Sequence, residues 1–264
     1  MPTTYTHIRF GKEVYRRLPQ TTRHIIAENQ ALFLTGLQGP DLFFYCNPLS
    51  FNRVVKLGHQ MHENLASDFF DHAAKVYQKQ PSQQMLSYLL GFGCHYLLDS
   101  TCHGYINAYA AGHRTSHACQ ETELDRSYLL KDKKRPLGYP RAAGILKGEE
   151  VEVEIIHRLF KQVSMKDLRK TLKGLHLYTG LLNTKHRLLN DAFAAGMKLL
   201  QMDKSIADQL MRPRPVEEAA IPVANLMALY QKALQEAPES LRNLQQYLMG
   251  ELPQLSSRYH HNFC

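Results

Sequence analysis

The sequence predicts an all-α fold, a single-domain helical bundle, and three observations lead to this prediction. Apolar residues recur at spacings of three and four along most of the 264 residues, as they do on the buried face of a helix. No run alternates between apolar and polar residues ahead of a hairpin turn, so strands are not indicated. No segment is long enough to link independent domains, so residues 1–264 are predicted to form one domain.

Helical spacing is present in eight segments, which are 22–36, 55–79, 83–110, 113–130, 149–164, 166–202, 216–236 and 239–250. The segment 83–110 is predicted to be a buried central helix, because large apolar residues alternate there with small ones. The segment 166–202 is longer than most helices, and a glycine, Gly174 or Gly180, is expected to divide it.

Proline and glycine mark the connections between these helices. Residues 36–41 are predicted to form a loop, because Pro40 disfavours a helix at the residue before it. Residues 133–142 contain two prolines and a glycine and are predicted to be the main internal connector. A second connector is predicted at 204–216.

Composition excludes several classes of protein. No apolar run reaches about 18 residues, so no transmembrane segment is expected. The N-terminus has no basic stretch followed by an apolar one, which argues against a secretory signal peptide. The five cysteines include no CxxC pair, which indicates reduced thiols in a cytoplasmic protein. The net charge of +8 favours anionic partners through long-range steering.

Histidine is unusually frequent, with 14 residues against 11 phenylalanines, and it is the commonest metal ligand. In the segment 83–110, His95, Asp99 and His103 lie four residues apart. Each step of four turns a helix by only about 40°, so all three can share one face. The residues around them are apolar, so the carboxylate of Asp99 would need a metal ion or a dense hydrogen-bond network there.

A second stripe of candidate ligands lies in the segment 113–130, where His113, His117, Glu121 and Asp125 repeat the spacing of four. Imidazole nitrogen and carboxylate oxygen bind zinc at about 2.0–2.2 Å. A pair four residues apart can deliver two such atoms to one ion without bending the helix. A single pair of this kind is more often a surface ion pair, but two stripes in one chain favour a metal site.

Further candidates lie nearer the N-terminus. His7 precedes a predicted short helix. Asp41 follows Gly-Pro in a rigid loop, where a carboxylate can be held at a fixed angle. His59 and His62 lie three apart in a stretch predicted to open a helix, so both could face the centre, although only one need be a ligand.

Taken together, these residues resemble the zinc-dependent phospholipase C family, which includes the phospholipase C/D domain. The resemblance rests on elements in the family order, namely Thr6-His7, Gly39-Pro40-Asp41, His62 before Phe69-Phe70, residues 90–99, His103 and His117-x-x-x-Glu121. They span about the first half of the chain. The family is all-helical and has a buried cluster of three metal ions, typically zinc, so the resemblance implies two or three divalent ions per chain.

The resemblance also implies ligand assignments, mostly within residues 7–125. The ligands of one ion would be Asp41, His62, His95 and Asp99. The ligands of a second ion would be His103, His117 and Glu121. A third ion would take His7 and Asp99, with Asp99 bridging.

The third site departs from the family pattern. Secreted members complete it with an N-terminal tryptophan, and this chain has no tryptophan. Three alternatives remain for this site: weak binding, no ion, or completion by the amino terminus at Met1 or Pro2. The remaining candidates, which could replace a ligand or hydrogen-bond to one, are His59, His113 and Asp125. His62 fits the family better than His59, and Asp125 is expected to accept a hydrogen bond from a ligand histidine.

The resemblance implies a phosphodiester hydrolase that uses a metal-activated water, with Asp41 as the catalytic base or the group that orients the water. The expected substrate is a phospholipid or a derivative of its head group. Phe43, Phe44 and Tyr45 could line an apolar mouth for it, or they could be core residues.

Two other functions remain open. One is a single-strand nuclease or 3′-nucleotidase, in which bases would stack on aromatic residues. The candidates for stacking are Tyr45, Tyr96, Tyr105 and Tyr109. The other is a non-catalytic, metal-stabilised helical protein whose ions have no open position for water. The sequence does not indicate an oligomeric state.

Overall fold

Twelve α-helices make up most of the described residues, and no strand occurs among them. The structure, a computed structural model, describes residues 4–48, 50, 52–113, 115–199 and 204–263. The helices are α1 (Thr4–Tyr15), α2 (Gln20–Glu28), α3 (Gln30–Gly36), α4 (Arg53–Glu63), α5 (Ala66–Lys79), α6 (Gln83–Gly112), α7 (His117–Lys131), α8 (Val153–Leu159), α9 (Met165–Leu181), α10 (Arg187–Leu199), α11 (Lys204–Ala207) and α12 (Ala220–Leu248). The all-α prediction is therefore confirmed.

Helix α6 is the central element, as its sequence predicts. Residues 85–99 are buried without exception, because this stretch is apolar around the whole helix and no face of it favours water. Helices α1, α3, α5, α7 and α12 all pack against it. Despite this apolar character, no described helix is long and apolar enough to cross a membrane.

Two glycines let α3 and α6 approach each other closely. A Cβ atom on Gly36 would lie 2.1 Å from the carbonyl oxygen of Tyr88, and one on Gly91 would lie 2.2 Å from that of Phe33. Any larger residue at either position would push the two backbones apart. This contact fixes the chain that leaves α3, a 3₁₀ turn at Gly39–Tyr45, beside α6.

Helix α12 is longer than its sequence predicts, because it joins the segments 216–236 and 239–250 into one helix. Pro238 lies inside it and removes one backbone hydrogen bond. Leu234 and Leu241, before and after the proline, are both buried in the core. Packing against α6 therefore outweighs the break that proline alone predicts.

Several predicted boundaries are wrong. The segment 36–41 is not a plain loop, since the 3₁₀ turn begins at Gly39. The segment 55–79 is two helices, α4 and α5, which are separated at Asn64 and Leu65. His7 lies inside α1 rather than before a helix, and α4 begins at Arg53 rather than near His59.

Two further boundaries differ because of local contacts. The second ligand helix begins at His117 and not at residue 113, because the Ser116 hydroxyl caps it by accepting a hydrogen bond from the Cys119 N–H at 3.1 Å. The segment 166–202 divides after Leu181 rather than at a glycine. Gly174 instead serves packing, since a Cβ there would lie 2.2 Å from the Tyr45 carbonyl oxygen.

Candidate metal centre

The structure brings the eight predicted ligands together in one cluster, from α1, the 3₁₀ turn, α4, α6 and α7. Their ligand atoms form three groups, and within each group the atoms lie within 4.8 Å of one another. The first group is His7, His95 and Asp99. The second group is Asp41, His62 and His95. The third group is His103, His117 and Glu121.

Asp99 lies in the middle of the cluster. Its Oδ1 atom is 3.2 Å from His7 Nε2 and 3.7 Å from His103 Nε2. Its Oδ2 atom is 2.9 Å from His95 Nε2 and 3.9 Å from His62 Nε2. Two ligand atoms on one tetrahedral zinc ion lie about 3.4 Å apart, given bonds of about 2.1 Å. These spacings therefore suit a carboxylate shared between ions.

The third group has similar spacing. Glu121 Oε1 lies 3.2 Å from His117 Nε2 and 3.4 Å from His103 Nε2. His117 and Glu121 are one helical turn apart on α7, while His103 reaches the same oxygen from α6. The side chain of His117 is 36% exposed, whereas that of Glu121 is 3% exposed, so the cluster is most open at His117.

The 3₁₀ turn holds Asp41 against α4 and α6. Asp41 Oδ1 lies 3.2 Å from His62 Nε2. Two residues earlier, Gly39 has a φ angle of +50°, and a Cβ atom there would lie 2.1 Å from Cδ2 of His95. Glycine is therefore required at this position both by the backbone conformation and by the imidazole that packs on it.

Three of the histidines are oriented by backbone carbonyl groups. The Nδ1 atoms of His62, His95 and His103 lie 2.8, 3.2 and 3.0 Å from the carbonyl oxygens of Gly58, Leu37 and Phe263. A carbonyl oxygen only accepts hydrogen bonds, so Nδ1 carries the proton in each ring. In a neutral imidazole the Nε2 lone pair then points into the cluster, as in metal-binding histidines.

This arrangement places lone pairs against carboxylate oxygens, and a cation bound between them would remove the repulsion. His95 Nε2 and Asp99 Oδ2 are 2.9 Å apart and buried, and neither has a hydrogen-bond partner elsewhere among the described residues. His7 Nδ1 is buried without a hydrogen bond as well. Unpaired buried polar atoms are costly. The nitrogen and oxygen donors present are those that zinc binds, so the residues fit this ion.

Burial and the neighbouring histidines shift the pKa values of the carboxylates in the cluster in opposite directions. Burial raises the pKa of Asp99, but the neighbouring histidines His103, His95 and His7 outweigh it and hold this pKa well below its usual range. Burial likewise raises the pKa of Glu121, but charged neighbours that include His117 outweigh it and hold this pKa well below its usual range. Both carboxylates are therefore ionised at neutral pH and available as ligands.

The similarity to known proteins agrees with this geometry. A family model described as zinc dependent phospholipase C matches residues 6–176. The matched range is well over half of the chain and contains all eight predicted ligands. This chain belongs to the zinc-dependent phospholipase C family. No curated protein and no solved structure matches it.

In this member of the zinc-dependent phospholipase C family, Asp125 has a different role from the one expected. Among the described residues, it accepts no hydrogen bond from a histidine. Its Oδ1 atom accepts hydrogen bonds from the N–H and the hydroxyl of Thr6, at 2.8 and 2.7 Å. Its Oδ2 atom lies 3.4 Å from Arg141 Nη1. Since the first N–H groups of a helix have no partner inside the helix, Asp125 fixes the start of α1 and thereby positions His7.

The two remaining candidates lie outside the cluster. His59 is exposed and packs on Phe44, with ring centroids 4.7 Å apart, so His62 is the member of this pair that faces Asp41. His113 is not on the stripe with His117, because it follows the end of α6 instead of lying in α7. It is exposed, and its ring stacks on Tyr109 with centroids 3.9 Å apart.

Sequence reasoning missed the groups that orient the ligands. Asn107 Oδ1 accepts a hydrogen bond from Nδ1 of His117 at 2.9 Å. Its position four residues after His103 continues the stripe on α6, and this spacing could have revealed it. The backbone carbonyls of Leu37 and Phe263 leave no signal of this kind. Phe263 also lies beyond residue 176, where the phospholipase C family match ends.

The aromatic candidates divide between core and rim. Phe43, Tyr45 and Tyr96 are buried in the core, so they are available neither for an apolar mouth nor for stacking nucleic-acid bases. Phe44 is only partly buried, and its ring lies over that of His62 with centroids 5.5 Å apart. The predicted replacement ligand for the third ion, the amino terminus at Met1 or Pro2, lies outside the described residues.

Proposed function

We propose that this chain hydrolyses the phosphodiester bond of a phospholipid, or of a derivative of its head group, at the cluster of eight ligands. The observation that carries the proposal is the zinc-dependent phospholipase C match, whose range includes every one of them. The buried His, Asp and Glu side chains supply the donor atoms that zinc binds, so the family match and the ligand cluster support the same chemistry.

The proposed ligands divide among the ions as follows. One ion would be held by Asp41, His62, His95 and Asp99. A second would be held by His103, His117 and Glu121. A third would be held by His7 and Asp99. When bound, zinc offsets the charge of a phosphate and lowers the pKa of a coordinated water molecule toward 7.

Asp41 is the proposed partner of the attacking water. Burial raises its pKa, but charged and hydrogen-bonding neighbours that include His62 outweigh this and hold the pKa below the usual range for aspartate. A carboxylate with a lowered pKa is a weak base. The side chain therefore acts mainly by accepting a hydrogen bond from water and orienting it toward the phosphorus.

The substrate is proposed to enter on the side of His62 and His117. The side chains of these two residues are 12% and 36% exposed, more than those of the other six ligands. Phe44 packs over His62 on this side and offers an apolar contact to the glycerol or acyl part of a lipid. The rest of the cluster is buried, which limits contact between solvent and the reacting bond.

The test is an assay of the zinc-loaded protein on short-chain phosphatidylcholine, single-stranded DNA and a 3′-nucleotide, side by side. We expect turnover of the phosphatidylcholine, and the released product identifies the P–O bond that breaks. Asp41→Asn should lower this turnover by about a hundredfold or more, because it changes both the group that orients the water and a proposed ligand of the first ion. His113→Gln is the matched control and should leave the rate unchanged.

Two results would contradict the proposal. Turnover of the nucleic-acid substrates alone would assign the chain to a nuclease function. Absence of turnover on all three, in protein that retains its zinc, would indicate a metal centre with a purely structural role.

A further inference from the structure

Helix α10 exposes apolar side chains where a helix on a protein surface normally exposes polar ones. Leu188 and Leu199 are each 84% exposed, Leu189 is 50% exposed and Phe193 is 37% exposed. The one buried residue of this helix is the polar Asn190. An amphipathic helix usually turns its apolar face inward, so the exposure of these large apolar side chains is unusual.

The helical spacing places Leu188 and Leu199, the two most exposed leucines, on one face with two alanines. Leu188, Ala192, Ala195 and Leu199 follow each other at intervals of four, three and four, so they form a single stripe along the helix. Asn190 lies roughly opposite this stripe at 100° per residue. Its amide group donates a hydrogen bond to the carbonyl of Met211 at 2.8 Å. Asn190 thus anchors the side of the helix that faces the protein, and the apolar stripe faces outward.

Basic residues border the stripe at both ends. Lys185 lies two residues before α10, Arg187 is its first residue and Lys198 lies near its end, and all three are exposed. The one acidic residue of the helix is Asp191, and its carboxylate is 4.0 Å from the guanidinium of Arg187. An apolar stripe edged by cations is complementary to a membrane surface, which offers acyl chains beneath anionic head groups.

We infer that α10 is the surface by which this protein lies on a phospholipid membrane that contains anionic lipid. The helix of 13 residues is about 20 Å long, which suits a position in the plane of the interface. The inference rests on the proposed function in one respect, because a phospholipid substrate has to be reached in a bilayer. The surface lies outside the range of the family match and contains none of the metal ligands.

The experiment is sedimentation of the full-length protein with vesicles of phosphatidylcholine, with and without phosphatidylglycerol. We expect wild-type protein to bind, more strongly when phosphatidylglycerol is present. The double variant Leu188→Asn, Leu199→Asn should bind about tenfold or more weakly, because two leucines no longer insert. The matched control is Val151→Asn, Ile221→Asn, since these two apolar residues are 83% and 68% exposed elsewhere. Thermal unfolding checks that each variant is folded.

Three results would overturn the inference. The first is wild-type protein that stays in solution with both kinds of vesicle. The second is equal loss of binding in the double variant and in its control. The third is wild-type protein that forms a dimer and binds no vesicles, together with a double variant that is monomeric. This result would assign the stripe to contact between copies of this chain.

The binding assay needs no turnover, so the two proposals can fail separately. Binding to vesicles without lipid hydrolysis would support the surface and contradict the proposed function. Hydrolysis of soluble short-chain phosphatidylcholine without vesicle binding would support the function and overturn the surface.

Discussion

Asp99 lies within 3.9 Å of the Nε2 atoms of four histidines that come from three helices. It is buried, and one of its oxygens makes no hydrogen bond. A carboxylate in such surroundings attracts cations strongly, because few water molecules remain to screen it. At the scale of single residues, this side chain is therefore the one on which the proposed cluster depends most.

Asp99→Asn should remove metal and activity together. The amide is neutral and binds zinc poorly, so we expect the loss of at least one ion per chain and an affinity more than about a hundredfold lower. Metal analysis of the purified variants measures this. His113→Gln is the comparison, because His113 is exposed and lies outside the cluster. Equal metal loss in the two variants would show that the ligand face is assigned wrongly.

Gly39→Ala should destabilise the protein by about 1–3 kcal/mol from backbone strain alone, because its φ angle is +50°. The added Cβ would also displace the ring of His95, so zinc affinity should fall as well. Gly180→Ala is the matched control, since a Cβ there meets nothing within 4 Å and alanine favours helix. Chemical unfolding compares the two. A Gly39→Ala protein as stable as Gly180→Ala would refute this account of the turn.

At the scale of elements, the C-terminal segment after α12 takes part in the site. The carbonyl of Phe263 accepts a hydrogen bond from Nδ1 of His103, and its N–H donates to the carbonyl of His62 at 3.2 Å. Its ring packs on those of His62 and Tyr96. One residue thus contacts histidines from two ligand groups, although it lies 160 positions from His103 and 201 positions from His62 in the sequence. No motif or spacing pattern in the sequence points to it.

Removal of residues 262–264 should weaken zinc binding by about ten- to a hundredfold at the group of His103, His117 and Glu121, as loss of an orienting partner typically does. Competition with a chromophoric chelator measures the affinity. Phe263→Leu retains the backbone carbonyl and an apolar side chain, so it should stay within a fewfold of wild type. If the shortened chain binds zinc as tightly as wild type, the segment does not orient His103.

At the scale of the whole molecule, the sequence predicts which residues form the site better than it predicts the contacts that hold them in place. The spacing of four on α6 predicts that His95, Asp99 and His103 share a face, and the structure places them so. The role of Asp125 could not be predicted, because its partners at the start of α1 are about 120 positions away. Backbone carbonyl contacts are equally invisible, since any residue type provides a carbonyl group.

The length of the helices was harder to predict for the same reason. Pro238 and Gly174 are helix breakers by local propensity, yet both lie within helices because the packing of α12 on α6 and of α9 on Tyr45 decides the outcome. Tertiary contacts of this kind have no periodic signal in the sequence.

Acidification should release zinc through the histidines before the carboxylates. Burial lowers the pKa of His95, but Asp99 outweighs it and raises this pKa above the ordinary value, whereas the pKa of Asp99 is held far below its own. Zinc binds deprotonated ligands, so affinity should fall between about pH 7 and pH 5, by about tenfold per unit for each proton displaced. Chelator competition measures it, and a constant affinity over this range would contradict the assignment.

The most direct test of the proposed zinc cluster is anomalous diffraction at the zinc edge from crystals of the full chain. We expect one peak at about 2.0–2.2 Å from the ligand atoms of Asp41, His62, His95 and Asp99. We expect a second peak at the same distance from those of His103, His117 and Glu121. Zinc peaks only at other places, or none in zinc-loaded crystals, would contradict the proposed cluster.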